Sequence, residues 1–315
     1  MDDDLADAAA AAGEGKAEDL RARARKNDKM HVGKEAAALD RVGVGEAGVQ
    51  VADALLVGAG RRVLELGPGP GAITRLLKDN ACLITALEVD RKAIELVGQY
   101  CEQIHSCDLN DPEWPSRLPV GSQFNAIVAA AVLEHLYDPW TTLRRLHALL
   151  DPEGFLVISL PHIAHGAIVA SLLAEEFEYQ PWGLLDKTHI RFFGLRNMQR
   201  LFNDAGFKIV EADFVVKAPE QTEFAKHWRR LPPETRQALS ANPFRTVYQV
   251  VIRAVPLGAE GGSLQLTSLP VPSPTEASYS IGARGNRIAG FALSFLSLQT
   301  RQKILRLIER TGIRL

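Results

Sequence analysis

Short apolar runs alternate with amphipathic segments along most of this chain of 315 residues. Apolar runs at 62–66, 83–87, 104–107, 124–130 and 155–160 predict buried strands, and the segments between them carry apolar positions at helical spacing. Such alternation of strands and helices is typical of a parallel sheet covered by helices on both faces. We therefore predict an α/β fold with a doubly wound, Rossmann-like sheet.

The pattern changes at both ends of the chain. Residues 1–30 are rich in alanine and charge, which predicts a frayed helix or disorder. The alternating pattern fills residues 31–255. It is interrupted at 161–195, a segment that we expect to form a cap over the ligand crevice. Residues 256–283 are rich in Gly, Pro and Ser and predict a linker. Residues 284–315 predict a basic amphipathic helix, with seven Lys or Arg side chains and one Glu.

Composition narrows the class of protein. The net charge of −2 argues against a nucleic-acid binder, and no apolar run reaches the ~20 residues of a membrane span. Three cysteines without CxxC spacing argue against a disulfide framework, so we expect reduced thiols in a cytoplasmic protein. The basic C-terminal helix is a candidate contact for a membrane surface, a partner protein or a second copy of the chain.

A glycine-rich turn follows the first strand, and acids stand at the ends of three strands. The turn Gly67-Pro68-Gly69-Pro70-Gly71 lets the backbone approach a ligand near a helix N-terminus. Glu65 precedes it, Glu88 ends the second strand, and Asp108 follows the third, with Asn110 and Asp111 as alternatives to Asp108.

The order of these acids has a chemical interpretation. An acid after the second strand can accept both hydroxyls of a ribose, and an acid after the third can accept the exocyclic amine of an adenine. An acid before the glycine turn can help to place an ammonium group. Together these groups form S-adenosylmethionine (SAM), which we predict as the cofactor.

The same motifs resemble those of class I SAM-dependent methyltransferases. The resemblance covers roughly residues 40–255, through VLELGPGPGAIT, ITALEVD, CDLND, FNAIVAAAVLEHLYDP and GFLVISLPH. It implies a mostly parallel sheet of seven strands with an antiparallel last strand, which RTVYQVVIRAV suits. It also implies cofactor-binding roles for a set of residues: Glu65, Gly67, Gly69, Gly71, Glu88 and Asp108.

Two related families help to define the acceptor. Ribosomal RNA adenine dimethylases have a similar glycine turn, but the Asn-Pro-Pro-aromatic stretch that holds their base is replaced here by residues 130–135, so we reject an RNA substrate. The LEHL stretch is similar to that of small-molecule O-methyltransferases. Some of those bind Mg²⁺ through Glu-x-x-Glu-His, but Ala131 stands at the first position, and Glu134 with His135 are too few ligands to predict a metal.

The interrupting segment resembles a stretch of bacterial methyltransferases that are associated with glycosyltransferases and surface-polysaccharide assembly. The pieces that carry this resemblance are PHIAH, FEYQPWGLLDKTHIRFF and the AGF helix end. Loops at the carboxyl ends of parallel strands line the ligand crevice. We therefore predict that residues of this segment bind a sugar or other small-molecule hydroxyl acceptor: His162, His165, Tyr179, Trp182, Asp186 and Arg191.

Methyl transfer to a hydroxyl requires the loss of its proton, and a histidine can accept that proton near neutral pH. His135 follows the fourth strand and is our first candidate base, and His189 in the interrupting segment is the second. Two alternatives remain open on the sequence. The glycine turn alone also fits an NAD-dependent oxidoreductase or epimerase, and a methyltransferase-like fold can serve as a non-catalytic binding module.

Overall fold

A computed structural model describes residues 53–54 and 56–274 of the chain, and a sheet of seven strands lies at its centre. The strands are β1 (Arg62–Leu66), β2 (Leu83–Glu88), β3 (Gln103–Ser106), β4 (Phe124–Ala130), β5 (Leu150–Pro161), β6 (Phe207–Val216) and β7 (Val247–Pro256). Their order is β3-β2-β1-β4-β5-β7-β6. Strand β7 is antiparallel to both neighbours, and the other pairs are parallel. The predicted sheet with an antiparallel last strand is confirmed.

The strand order creates a crevice at one edge of the sheet. The chain passes from β1 outward to β2 and β3 and then returns to β4 on the other side of β1. Ligands of doubly wound folds bind outside the carboxyl ends of the strands at such a switch point. Glu65 lies one residue before the end of β1 and pairs with Ala86 of β2 and Val128 of β4. The loops that follow these three strands therefore meet.

Helices cover the sheet, and alternate side chains of each strand point to opposite faces. The helices are α1 (Ala72–Asp79), α2 (Arg91–Val97), α3 (Pro139–Arg145), α4 (Gly166–Leu173), α5 (Leu195–Asp204), α6 (Ala225–Arg230) and α7 (Pro233–Ser240). In β1, Val63 packs in one buried apolar cluster, whereas Leu64 and Leu66 pack in another. Glu65 consequently shares the face of Val63.

The segment between β5 and α5 is more ordered than its sequence pattern indicates. It contains helix α4, which the pattern does not predict because GAIVASLL is apolar nearly all round and has no polar face. The segment has its own small core, in which Ile168, Leu184 and Leu185 pack with Phe224 and Tyr248. This core holds the loop that carries His189 against the rest of the fold.

Residues 257–274, which we predicted as part of a linker, pack against the sheet instead. Leu266 is only 1% exposed and belongs to the main core. Its backbone N–H donates to Gln199 Oε1 at 3.0 Å, and the N–H of Leu264 donates to the Ile209 carbonyl at 2.7 Å. The linker prediction does not hold at Leu266, because a Gly-, Pro- and Ser-rich composition conceals one buried leucine and the partly buried Leu264 that packs against the same core.

The two predicted terminal segments, 1–30 and 284–315, lie outside the described residues. Within the part that is described, no helix is both long and apolar enough to cross a bilayer. Three cysteines lie in the described residues, each with a free thiol: Cys82, Cys101 and Cys107.

Candidate active site

The glycine turn after β1 has a backbone that other residues rarely adopt. Gly67, Gly69 and Gly71 all have positive φ, at 60°, 53° and 81°. The N–H of Gly67 donates to the Leu87 carbonyl at 2.8 Å, which ties the turn to β2. A Cβ on Gly71 would lie 2.5 Å from Val97 Cγ1, so a side chain does not fit there. The turn is thus built for close approach of backbone to a ligand.

The Glu88 carboxylate is fixed against this turn. Its Oε2 accepts a hydrogen bond from the N–H of Gly69 at 2.9 Å, and its Oε1 accepts from the N–H groups of Val89 at 2.7 Å and Asp90 at 2.9 Å. The side chain is buried at 6% exposure. An anchored carboxylate at the end of β2 is able to accept hydroxyl donors, and its role in binding a ribose stays a prediction.

Two further acids are buried, and three of their four carboxylate oxygens have no hydrogen bond among the described residues. Glu65 is 2% exposed, and its Oε2 has no hydrogen bond among the described residues. Burial, together with the negative charge of Glu88, raises the pKa of Glu65 to about 7. Asp53 is fully buried, and within the described part of the chain neither carboxylate oxygen has a hydrogen bond. Burial raises its pKa well above the usual range, and the charge of Glu65 adds to the effect.

An unpartnered buried carboxyl group is costly, and a cationic ligand offsets that cost. Asp53 is not among the site residues predicted from the sequence. Its only signal there is an acidic residue at the start of the otherwise apolar stretch 53–57, five residues before Gly58-Ala59-Gly60-Arg61 lead into β1. Glu65 and Asp53 are thus two buried carboxyl groups close enough for the charge of Glu65 to raise the pKa of Asp53.

The loop after β3 favours Asp108 over its two neighbours as the acid for an adenine. The side-chain oxygen of Asn110 accepts from the N–H of Tyr137 at 2.8 Å. Oδ1 of Asp111 accepts from the N–H of Glu113 at 2.9 Å. Asp108 is exposed, and its Oδ1 accepts from the N–H of Asn110 at 2.8 Å. Asp108 is therefore the acid of this loop that can best reach a ligand.

The two candidate bases lie next to each other beyond β4. Ala131, the first residue after β4, has a positive φ of 52°, a strained backbone of the kind found at functional sites. The rings of His135 and His189 meet edge to face, with centroids 4.8 Å apart. Nδ1 of His135 lies 3.1 Å from the Thr188 carbonyl, and Nδ1 of His189 lies 3.2 Å from the Leu184 carbonyl.

A carbonyl can only accept, so Nδ1 of each ring carries the proton and Nε2 carries the lone pair. Burial lowers the pKa of His135. Burial, with the neighbouring charge of His135, lowers the pKa of His189 to about 4. Both imidazoles are thus neutral at pH 7 and able to accept a proton or bind a metal.

Glu134 completes this group. It is fully buried, and its Oε1 lies 3.9 Å from His189 Nε2. Burial, with a contribution from the charge of Asp186, raises the pKa of Glu134 to about 8. Its backbone carbonyl accepts from the N–H groups of Ile190 and Arg191 at 2.9 and 3.0 Å. These two bonds hold the interrupting segment to the end of β4 and thereby bring His189 to His135.

The structure gives His162 and His165 hydrogen bonds within the protein. Nδ1–H of His162 donates to the Val247 carbonyl at 3.1 Å, and Nε2–H of His165 donates to the Lys217 carbonyl at 3.0 Å. Nδ1 of His165 accepts from the N–H of Ala167 and caps helix α4. Burial lowers the pKa to about 4 for His162 and about 3 for His165. His165, which is fully buried, does not face an open pocket.

The other residues that we predicted to bind the acceptor lie in the second half of the interrupting segment. Tyr179 and Trp182 are exposed, at 54% and 42%. Asp186 shapes the loop, since its Oδ1 accepts from the N–H and hydroxyl of Thr188 at 2.7 and 2.6 Å. The guanidinium of Arg191 donates to the Tyr137 carbonyl, and the side chain lines a cavity of about 300 Å³ whose other lining residues include Trp140 and Arg200.

Comparisons with known proteins identify the family of this chain. A family model described as a methyltransferase domain matches residues 18–212. A ubiquinone biosynthesis O-methyltransferase of Aeromonas salmonicida (strain A449) is 22% identical over 171 residues, which cover 52% of this chain and 70% of that protein. Its counterpart in Psychrobacter arcticus is 24% identical over 159 residues, or 47% of this chain and 60% of that protein.

Among solved structures, the magnesium protoporphyrin IX methyltransferase of Synechocystis PCC 6803, solved with bound S-adenosylhomocysteine, is similar in fold. It is 15% identical, with a TM-score of 0.42 over 63% of this chain and 75% of that one. The matched family covers more than half of the chain, which disfavours the oxidoreductase and non-catalytic alternatives. The chain belongs to the methyltransferase-domain family, and the prediction of a SAM-dependent methyltransferase is confirmed.

Proposed function

We propose that this enzyme transfers the methyl group of SAM to a hydroxyl oxygen of a sugar or other small molecule. The observation that carries the proposal is the pair of neutral imidazoles at the end of β4, where the crevice of this fold opens. Both His135 and His189 are fixed through Nδ1 by backbone carbonyls, so their Nε2 lone pairs are available. Such a pair suits an acceptor whose proton must be removed.

The cofactor half of the site is assigned to the ends of β1, β2 and β3. SAM supplies an electrophilic methyl group on a sulfonium cation. Glu88 binds the ribose hydroxyls, Asp108 accepts from the adenine amine, and the glycine turn approaches the amino-acid end. Glu65 and Asp53 hold the ammonium group, because both are buried carboxyl groups and three of their four oxygens have no described hydrogen bond.

The acceptor half is assigned to the loop after β4 and the interrupting segment. As the acceptor oxygen bonds to the methyl carbon, the carbon–sulfur bond breaks and the sulfur keeps the electron pair. The hydroxyl proton passes to Nε2 of His135, our first candidate, with His189 as the second. A positioned base contributes about 10²–10⁴-fold to such a step.

Two observations bear on the acceptor class. The interrupting segment carries exposed aromatic side chains at Tyr179 and Trp182 and polar groups at Asp186 and Arg191, residue types that suit the apolar and hydroxyl faces of a sugar. The relatives from Aeromonas salmonicida and Psychrobacter arcticus are named for O-methylation, which supports a hydroxyl acceptor but also makes a phenolic hydroxyl a second candidate.

The test compares turnover and cofactor binding in three variants. Release of S-adenosylhomocysteine is measured with a panel of glycans, sugars and phenols, alongside SAM affinity by calorimetry. We expect His135→Ala or His189→Ala to reduce turnover by about 10²–10⁴-fold with SAM affinity nearly unchanged. His105→Ala, the same change on β3, is the matched control. Wild-type turnover in both active-site variants would contradict the assignment of the base.

A further inference from the structure

Three side chains with metal-binding atoms meet at the end of β4. Their ligating atoms, one each from Glu134, His135 and His189, all lie within 4.8 Å of one another. Bonds of about 2.0–2.2 Å to an ion allow two ligand atoms to lie up to about 4 Å apart. The three ligating atoms are therefore slightly farther apart than in an occupied site, and the side chains must move closer together to bind an ion.

The burial of Glu134 is a second, independent indication that this group binds a cation. The side chain is fully buried, and neither carboxylate oxygen has a hydrogen bond anywhere in residues 53–54 and 56–274. The charged form of such a group is strongly disfavoured unless a cation or several donors meet it. A bound ion would satisfy both oxygens.

The two imidazoles are oriented in the manner of metal ligands. Each donates its Nδ1 proton to a backbone carbonyl, Thr188 for His135 and Leu184 for His189. This second contact fixes the tautomer and the ring orientation in many metal sites, and it leaves Nε2 for the ion. Nε2 of His189 accordingly faces Glu134 at 3.9 Å.

We propose that Glu134, His135 and His189 bind one divalent transition-metal ion, of which Zn²⁺ is the best fit. Two nitrogens and one carboxylate favour zinc, whereas Mg²⁺ prefers a full set of oxygen ligands. Three protein ligands also leave one position open, which is the arrangement of catalytic zinc sites.

The role of the ion rests on the proposed function, whereas its binding does not. The open position takes the acceptor hydroxyl, and the ion lowers the pKa of that hydroxyl so that its proton leaves to water. His135 and His189 then activate the acceptor as ligands of the ion. In the protein without a bound ion, the proton of the acceptor hydroxyl passes directly to His135.

A second cluster of the same residue types provides a control. Glu176, Glu178 and His227 also bring their ligating atoms within 4.8 Å. Lys226 already pairs with these acids, with Nζ 2.8 Å from Glu178 and 3.8 Å from Glu176. Its ammonium group disfavours a second cation, so we expect His227 to be dispensable for zinc binding.

The experiment is a zinc titration of the full-length chain in competition with a chromophoric chelator, without SAM or acceptor. We expect one equivalent of Zn²⁺ per chain. Glu134→Gln, His135→Ala and His189→Ala should each weaken the affinity at least about 100-fold, since loss of even an outer contact costs about 10–100-fold. His227→Ala should bind as the wild type does. The visible spectrum of the Co²⁺ form should change in the first three variants only.

Absence of zinc binding by the wild-type chain would overturn the proposal, as would a loss confined to His227→Ala. His135→Ala changes a half-buried loop residue, and retained SAM binding shows that its fold is intact. Zinc binding without methyl transfer to any hydroxyl would count against the proposed function alone. Methyl transfer by a chain that binds no zinc would count against this proposal alone.

Discussion

Glu65 should make SAM binding depend on pH. Burial and the charge of Glu88 raise its pKa to about 7, so about half of these carboxyl groups carry a proton at pH 7 in the free protein. An ammonium group placed beside Glu65 favours the ionised form. Each protonated Glu65 must therefore release its proton when the cation binds.

The size of the pH effect on SAM affinity follows from the raised pKa of Glu65. Below about pH 7, every unit of pH lowers the SAM affinity about tenfold, because one proton is displaced. Between roughly pH 8 and pH 5 the loss is about 100-fold, or ~2.7 kcal/mol. Asp53, whose pKa is also raised by burial and by the charge of Glu65, makes the slope steeper.

The stability of the free protein depends on pH in the opposite direction to the SAM affinity. The folded pKa of Glu65 lies above the ordinary value of 4.5, so the folded state holds the proton more tightly than the unfolded state. The contribution of this group to stability is complete below that ordinary value and is lost as the pH rises through about 7. Thermal unfolding with and without SAM, measured across this range, should show the two opposite slopes.

The direct assay is calorimetry of SAM binding near pH 6.5 in two buffers of different ionisation enthalpy, which reports proton release. The wild type should release a substantial fraction of a proton. Glu65→Gln should release less and should bind SAM more weakly above about pH 8. Glu95→Gln, an exposed position on α2, is the matched control. Equal affinity at pH 5 and pH 8, without proton release, would refute this account of Glu65.

Three further predictions concern the cofactor site and the core. Glu88→Ala should weaken SAM about 10- to 100-fold in calorimetry, because ribose hydroxyls lose a buried acceptor worth ~1–3 kcal/mol; unchanged affinity would contradict the ribose role. Gly71→Ala should lower the melting temperature more than Gly69→Ala, since only the Cβ at 71 meets Val97, at 2.5 Å; equal effects would show that backbone strain alone matters. Leu266→Ala should cost ~2–5 kcal/mol in denaturant unfolding; a negligible loss would show that 257–274 does not belong to the core.

The sequence predicts the sheet and its cofactor edge well because those features are local. Most strands contain a short apolar run, and Glu65, Glu88 and the glycine turn stand at fixed positions relative to strand ends. Any chain with these runs in this order places the three at one edge of a parallel sheet. Helix α4 is not predicted because its sequence is apolar nearly all round and shows no helical periodicity. The packing of residues 257–274 is not predicted because their Gly-, Pro- and Ser-rich composition is typical of a linker.

The acceptor side depends on contacts between residues far apart in the chain. Glu134 and His189 are 55 positions apart, and their approach follows from the two hydrogen bonds that the Glu134 carbonyl accepts from Ile190 and Arg191. The sequence indicates His189 as a second candidate base, but nothing in it shows that His189 lies beside Glu134 and His135 as a third metal ligand. For the same reason His162 and His165 look like acceptor residues, although the structure gives both a hydrogen-bonded place inside the protein.

Transfer of a labelled methyl group tests the central claim most directly. The enzyme is incubated with SAM that carries carbon-13 in its methyl group, together with glycan and small-molecule extracts, and the products are examined by carbon NMR. We predict a new methoxy carbon on a sugar or small molecule, which is formed far more slowly by His135→Ala and His189→Ala. A label found on nitrogen or carbon, or no transfer despite SAM binding, would contradict the account.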